Sequence, residues 1–377
     1  MNHRLFFFLM CLLTARFALS EVTDTVASDA QIYIVGDTTS QTIISSQNAS
    51  KQINPGPLVK LMSIYVIFDA LQSGVIDLGN EVEISSTVAS TSGIRMFLTS
   101  GDKITVERLI KAAVISGAND AILALVAAVA GTEKNFVAVM NQHAKSIRLT
   151  DSKFTGALGY NNNSQFTTAS DLYQLAYSLL LKFPEYYSYF NLQKYDYQGI
   201  AQYNPNDLLA RDAFNDGLLV AETPKIGTFG IISSMRNERR ILAVVGHVSH
   251  KRALGPEAQR LINFSFEQFT TIPLTIAKTP LTQVAVREGT SDFIGVGTYD
   301  DISITIPRAT EEKLEISVQS LQPLMAPVKS GDVVAKLVVQ INQETLRSID
   351  LHALNEVYKE GVLSKGWKRL KSALSGH

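Results

Sequence analysis

From Leu58 to Leu71 the apolar residues Leu58, Leu61, Met62, Tyr65, Val66, Phe68 and Leu71 recur three and four apart, the spacing of a helix. Asn54-Pro55-Gly56 marks its start, and apolar residues cover most of its faces, so it reads as central and buried. A second helical region spans Val106 to Val129, opened by Thr105-Val106-Glu107 and interrupted at Ser116-Gly117-Ala118-Asn119. An amphipathic helix from Glu133 to Ser146 follows, then a loop rich in Gly and Asn from Gly156 to Ser164. Strand patterns lie on either side of this block. Ile32 to Val35 and Thr42 to Ser45 read as a hairpin around Gly36-Asp37. Gly217 to Val220, Phe229 to Ser233 and Ile241 to Val245 read as core strands, the last two joined by a polar turn at Arg236 to Arg239. Strands at both ends with helices between them predict one α+β domain over residues 28–268.

Beyond Pro273 the pattern changes to short alternating strands, including Leu274 to Ala277, Ser303 to Ile306, Lys313 to Ser317, Ala335 to Ile341 and Ser348 to Leu351. They predict a small all-β domain over residues 272–356. The tail over residues 361–375 is different again. Leu363, Trp367, Leu370 and Leu374 fall on one helical face, and Lys365, Lys368, Arg369 and Lys371 lie largely off it. This is the pattern of an amphipathic helix lying on an anionic membrane surface. The alternative is a helix packed on its own β domain. The chain's single Trp sits on the apolar stripe, which favours the membrane.

Composition narrows the function classes. The chain has 377 residues, 46% hydrophobic and 18% charged, with 34 Lys+Arg against 35 Asp+Glu for a net charge of -1. This excludes a disordered, collagenous or coiled-coil chain. The near-neutral balance also argues against a dedicated nucleic-acid binder. The only cysteine is Cys11, so neither a disulfide framework nor a cysteine-based metal site is expected. Cys11 belongs to a segment that reads as a cleaved export signal over residues 1–20: a positive start from Met1 to Arg4, the apolar run Leu5 to Leu13, and Ala18-Leu19-Ser20 before the cut. A membrane-spanning helix would need roughly 20 apolar residues, and this run stops at Arg16. Met10 before Cys11 is too bulky for a lipoprotein signal. No cofactor is expected. His247-Val248-Ser249-His250 offers two imidazoles without a third ligand in sequence, and there is no phosphate-binding Gly-rich loop.

Four segments carry a resemblance: Ser92-Gly93-Ile94-Arg95-Met96-Phe97-Leu98, Phe183-Pro184-Glu185-Tyr186-Tyr187, Asn215-Asp216-Gly217-Leu218, and Met325-Ala326-Pro327-Val328 with Gly331-Asp332-Val333-Val334. In order and spacing, from about residue 30 to the C-terminus, the chain resembles the serine D-alanyl-D-alanine carboxypeptidases, the low-molecular-mass penicillin-binding proteins. The resemblance implies a β-lactamase/DD-peptidase-like domain, in which a sheet meets a helical cluster. It also implies a periplasmic enzyme, peripheral on the outer face of the inner membrane, that trims D-alanine from peptidoglycan stem peptides through a serine acyl-enzyme.

That chemistry needs three motifs around one site. A Ser-x-x-Lys sets the nucleophile one helical turn from a lysine that takes its proton. A Ser-x-Asn supplies a second hydroxyl and an amide, and a Lys-Thr-Gly on an edge strand holds the substrate carboxylate. The first falls on Pro57-Leu58-Val59-Lys60, which keeps Lys60 but places proline, with no hydroxyl, at the nucleophile position. Proline is well tolerated at a helix start. The second falls on Gly117-Ala118-Asn119, which keeps Asn119 and loses the serine. A shifted reading would use Ser116, but one residue on a helix turns the side chain by about 100°. The third falls on Leu219-Val220-Ala221, so cation and hydroxyl are both gone. Lys225 reads as a turn lysine, and Arg95 and Asp171, at framework positions, read as ion-pair or cap residues as readily as catalytic ones.

The expectation is therefore an inactive carboxypeptidase relative that binds peptidoglycan or an envelope protein, with a partner protein favoured because the carboxylate-binding cation is missing. The alternative is a serine hydrolase with a relocated nucleophile, for which Ser63 and Ser116 lie nearest to Lys60. A serine hydroxyl within about 3 Å of the Lys60 amine would support it. A site floored by Pro57, Gly117 and Leu219 would count against it.

Overall fold

The structure, a computed structural model, describes residues 26, 28–160, 164–223, 227–248, 250–320 and 323–361. The expected export signal, Lys225, Ser249 and the tail from residue 362 onward lie outside the described residues. In chain order the first domain contains β1 (Ile32–Asp37), β2 (Thr42–Gln47), α1 (Val59–Gln72), β3 (Glu81–Glu83), α2 (Ser86–Ala89), β4 (Lys103–Thr105), α3 (Val106–Ile115), α4 (Asn119–Ala130), α5 (Glu133–Ser146) and α6 (Ala169–Lys182). It continues through β5 (Lys194–Tyr197), β6 (Ile200–Tyr203), α7 (Leu208–Arg211), β7 (Asn215–Thr223), β8 (Gly227–Arg236), β9 (Arg239–Gly246) and α8 (Leu254–Gln268).

Five strands form an antiparallel sheet in the order β2-β1-β9-β8-β7, so the first hairpin is carried into the sheet by β9 and leaves β7 at an edge. Strand alternation divides this sheet into two apolar faces. Ile32, Ile34, Ile231, Leu242 and Val244 face the helical cluster, whose centre is the buried α1. Tyr33, Val35, Ile232, Ala243 and Val245 face α8 on the other side.

Local chemistry fixes where the helices begin. Thr132 caps α5 by accepting a hydrogen bond from the Asn135 amide at 3.2 Å, and Thr168 caps α6 from the Asp171 amide at 3.0 Å. Between α3 and α4 the chain passes through Gly117 at φ +70, a left-handed conformation that stops the first helix and re-aims the second. Helices α6 and α8 and the hairpin β5–β6 add to the elements expected from sequence.

The second domain contains β10 (Phe269–Thr275), β11 (Thr282–Arg287), β12 (Phe293–Gly297), β13 (Ile302–Pro307), β14 (Leu314–Ser320), β15 (Leu324–Met325), β16 (Val333–Ile341) and β17 (Glu344–Ala353). Six of these form a sheet ordered β14-β16-β17-β12-β11-β15, and β10 pairs with β13 in a separate ribbon. The strand expected at Leu274 to Ala277 is this β10, which begins at Phe269 and ends at Thr275. A buried polar junction ties the domains: Asp37 accepts hydrogen bonds from Arg239 Nε and Thr271 Oγ1, both at 2.6 Å, and Ser40 meets Thr305 at 2.5 Å.

Candidate functional site

Pro57 lies in a single 3-10 turn, Gly56–Leu58, that leads into α1. Its fixed φ suits this entry, and its missing N–H leaves no helical bond unmade. One turn on, Lys60 is 4% exposed, and its Nζ donates to the Gly117 carbonyl oxygen at 2.6 Å. Among the described residues no carboxylate pairs with Lys60. Burial without a counter-charge disfavours the ammonium form and lowers the Lys60 pKa to about 8.

Gly117 faces this amine directly, since a Cβ built on it would lie 3.5 Å from Lys60 Nζ. A serine at 117 would thus point at Lys60, but it would have to adopt a left-handed backbone. Ser116 is turned elsewhere. Its hydroxyl donates to Ala112 O at 3.0 Å and meets Gln202 Oε1 at 2.6 Å. The reason differs from the simple helical rotation expected from sequence: Ser116 closes α3, Gly117 reverses the backbone, and Ala118 is already the extended residue before α4.

Asn119 and Asp120, the first two residues of α4, hold the segment from Ser92 to Leu98. Asn119 Nδ2 donates to Ser92 O at 2.8 Å and to the Tyr160 hydroxyl at 3.3 Å, while Tyr160 itself donates to Ser92 O at 3.2 Å. The Asn119 backbone amide donates to Ile94 O at 2.7 Å. Its Oδ1 is buried without a hydrogen-bond partner among the described residues. The fully buried Asp120 accepts from the Met96 amide at 2.9 Å and the Leu98 amide at 3.1 Å. Sequence reading passed over Asp120, Tyr160 and Gln202. An acid in the first turn of the otherwise apolar run Ala121-Ile122-Leu123-Ala124-Leu125 was the available signal for the first of these.

The sheet side is apolar. Leu219 lies on the edge strand β7, opposite Ile231 of β8, and points with Ala221 into the helical core at 6% and 8% exposure. Val220 turns to the α8 face. Strand β7 packs beside the turn that carries Pro57. From above, Gly159 comes so close to Gly56 that a Cβ on it would sit 1.8 Å from the Gly56 carbonyl oxygen. Backbone therefore presses on backbone over the start of α1.

The alternative nucleophiles are occupied. Ser63 is fully buried, and its hydroxyl donates to Ala157 O at 2.7 Å rather than to Lys60. Among the described residues Arg95 makes no ion pair: its guanidinium lies 5.3 Å above the Phe97 ring, and its buried Nε has no hydrogen-bond partner there. Asp171 does fasten local backbone, accepting from Ser152 Oγ at 2.6 Å and from the Asp151 amide at 2.9 Å, while burial raises its pKa. His247 follows the end of β9, and among the described residues no group of three or more His, Cys, Asp or Glu side chains could hold a metal ion. A separate groove of about 690 Å³ runs between β4, α3 and the β5–β6 hairpin, lined by side chains of both signs including Asp102, Lys103 and Arg108. Neither Lys60 nor Gly117 lines it.

Residues 19–249 match the family model described as D-alanyl-D-alanine carboxypeptidase, and residues 269–359 match that of the penicillin-binding protein 5 C-terminal domain. The chain is 30% identical over 369 residues to D-alanyl-D-alanine carboxypeptidase DacC of Escherichia coli (strain K12), a match covering 96% of this chain and 92% of that protein. Among solved structures, penicillin binding protein 5 from Haemophilus influenzae superposes with a TM-score of 0.84 at 25% identity, covering 89% of this chain and 100% of that one. Penicillin binding protein 6B from Escherichia coli has the same fold, with a TM-score of 0.75 at 24% identity over 87% of this chain and 96% of that one.

Proposed function

The chain belongs to the D-alanyl-D-alanine carboxypeptidase family, and from that premise we propose that it is an inactive member, one that binds in the bacterial cell envelope and does not cleave. The observation that carries this reading is the environment of Lys60. Its amine is satisfied by the Gly117 carbonyl, and neither Pro57 nor Gly117, one turn before it and facing it, has a hydroxyl to give up a proton. An acyl-enzyme needs a nucleophile within hydrogen-bond reach of its base. Ser63 and Ser116, the nearest alternatives, are already committed to other acceptors.

The sheet edge bears on what is bound. Leu219, Val220 and Ala221 offer no cation or hydroxyl for a peptide carboxylate. Beside the site Ile94, Phe97 and Tyr160 are each about half exposed, at 56%, 50% and 54%. An envelope protein that covers this apolar rim suits the surface better than a charged stem-peptide terminus, and peptidoglycan strands are the second candidate. Export by residues 1–20 and attachment through residues 361–375 would place the protein in the periplasm, on the outer face of the inner membrane.

Covalent labelling by a fluorescent β-lactam tests the reading. The native protein should give no band that survives denaturation, beside an active family member that does. A band in the native protein, blocked by unlabelled drug, would overturn the proposal. Co-sedimentation with purified peptidoglycan then separates the two ligands: retention in the pellet points to peptidoglycan, and a protein that stays in the supernatant points to an envelope partner.

A further inference from the structure

We propose that two copies of this chain join edge to edge through β14, extending the six-stranded sheet of each second domain into one continuous sheet. β14 is the outermost strand, paired on one side with β16, and among the described residues no strand pairs with its other side. Such an edge presents a row of unpaired backbone donors and acceptors to any strand that can match it.

The edge is apolar on the face that continues the domain core. In the β14–β16 register, Ile316 lies opposite Val339 and Val318 opposite Leu337, and residues directly opposite share a face. Val339 and Leu337 are buried, at 0% and 1%, but Ile316 and Val318 remain 48% and 37% exposed. The core face is thus left uncovered at this strand. Within β14 itself the usual protections of an edge are absent as well. β14 contains no proline and no lysine, it pairs with β16 without a bulge, and its one charge, Glu315, lies on the opposite, polar face.

The strand is also self-complementary, which argues for a second copy as the occupant. An antiparallel pairing about a two-fold axis at Ser317 runs through the five residues 315–319. It sets Ile316 against Val318 of the second copy, and Val318 against Ile316, closing four apolar side chains over the exposed core face. On the other face it sets Glu315 against Gln319, with no like-charge pair. Shifting the register by one residue would put every apolar side chain opposite a polar one. This pairing does not depend on whether the first domain is active.

A single thiol reads the two-fold axis. Cys11 is the chain's only cysteine, so Ser317→Cys in a Cys11→Ser background carries one thiol on the polar face. Facing residues in an antiparallel pair lie about 4.5–5.5 Å apart between Cα atoms, within reach of a disulfide. Gln319→Cys in the same background is the control, because its symmetry mates would lie four residues apart, roughly 13 Å. Under mild oxidation the 317 variant should form a disulfide dimer at least about tenfold faster than the 319 variant, and adding Val318→Lys should suppress it. Equal rates from both thiols, or cross-linking indifferent to Val318→Lys, would overturn the proposal. So would a dimer seen by light scattering that the 317 thiol fails to capture.

Discussion

On the helical side of the site, Lys60, Asn119 and Asp120 each hold a piece of backbone: the Gly117 carbonyl, the Ser92 carbonyl, and the amides of Met96 and Leu98. On the sheet edge, Leu219, Val220 and Ala221 fill apolar space between two cores. The family's chemistry calls for polar groups on both sides. Here polar groups stand where they also do structural work. Where a polar group would serve only the substrate, an apolar or side-chain-free residue takes its place. A buried charge or amide that loses its partner destabilises the fold, whereas a hydroxyl or cation facing an open site can be exchanged at little energetic expense.

The sharpest way to break this contrast is Asp120→Ala. It leaves the buried Met96 and Leu98 amides without an acceptor, at about 1–3 kcal/mol each, so a loss of roughly 3 kcal/mol is expected in urea or thermal unfolding. A loss below about 1 kcal/mol would remove the structural reason for the helical side. Gly159→Ala comes next. Its Cβ would overlap the Gly56 carbonyl, and its backbone is left-handed at φ +77, which together are worth about 2–4 kcal/mol. A melting temperature within a degree or two of the native protein would show that the loop over Pro57 gives way freely.

Lys60→Met tests the amine through pH. The folded pKa, about 8, lies below the ordinary lysine value of 10.5, so between those values the unfolded chain binds more protons and stability rises with pH. Relative to Lys60→Met, the native protein should gain about 1–2 kcal/mol between pH 8 and pH 9.5. The buried Tyr173 and Tyr187, whose pKa values burial pushes up, act in the opposite direction at higher pH, but both proteins carry them and their effect cancels in the difference. A difference that does not move with pH would mean that Lys60 is not held as a desolvated amine. The smallest effect belongs to Pro57→Ser. Losing the fixed φ of an entry turn changes stability by about 1 kcal/mol or less, and a larger loss would assign Pro57 a structural role as well.

Much of this arrangement was legible in the sequence. The helix expected from Glu133 to Ser146 has those ends, since Thr132 caps it and its apolar residues keep one period. The central helix, expected from Leu58, begins at Val59 because Pro57 and Leu58 belong to the preceding turn. Helix α6 went unread although Leu172, Leu175, Ala176 and Leu179 recur at helical spacing behind the Thr168 cap. At the site, motif spacing put Gly117 at the position of the second serine but did not record the left-handed turn that aims it at Lys60. The roles of Tyr160 and Gln202 are set by contacts 41 and 86 residues apart, which no local pattern records.

The measurement that tests the central claim most directly is the release of free D-alanine from a D-Ala-D-Ala-terminated stem peptide, which would register hydrolysis by any nucleophile in the chain. The purified native protein should release D-alanine no faster than Lys60→Met, while an active family member does so readily in the same buffer. A rate above that of Lys60→Met, abolished by Ser63→Ala or Ser116→Ala, would contradict the account and locate the nucleophile it denies.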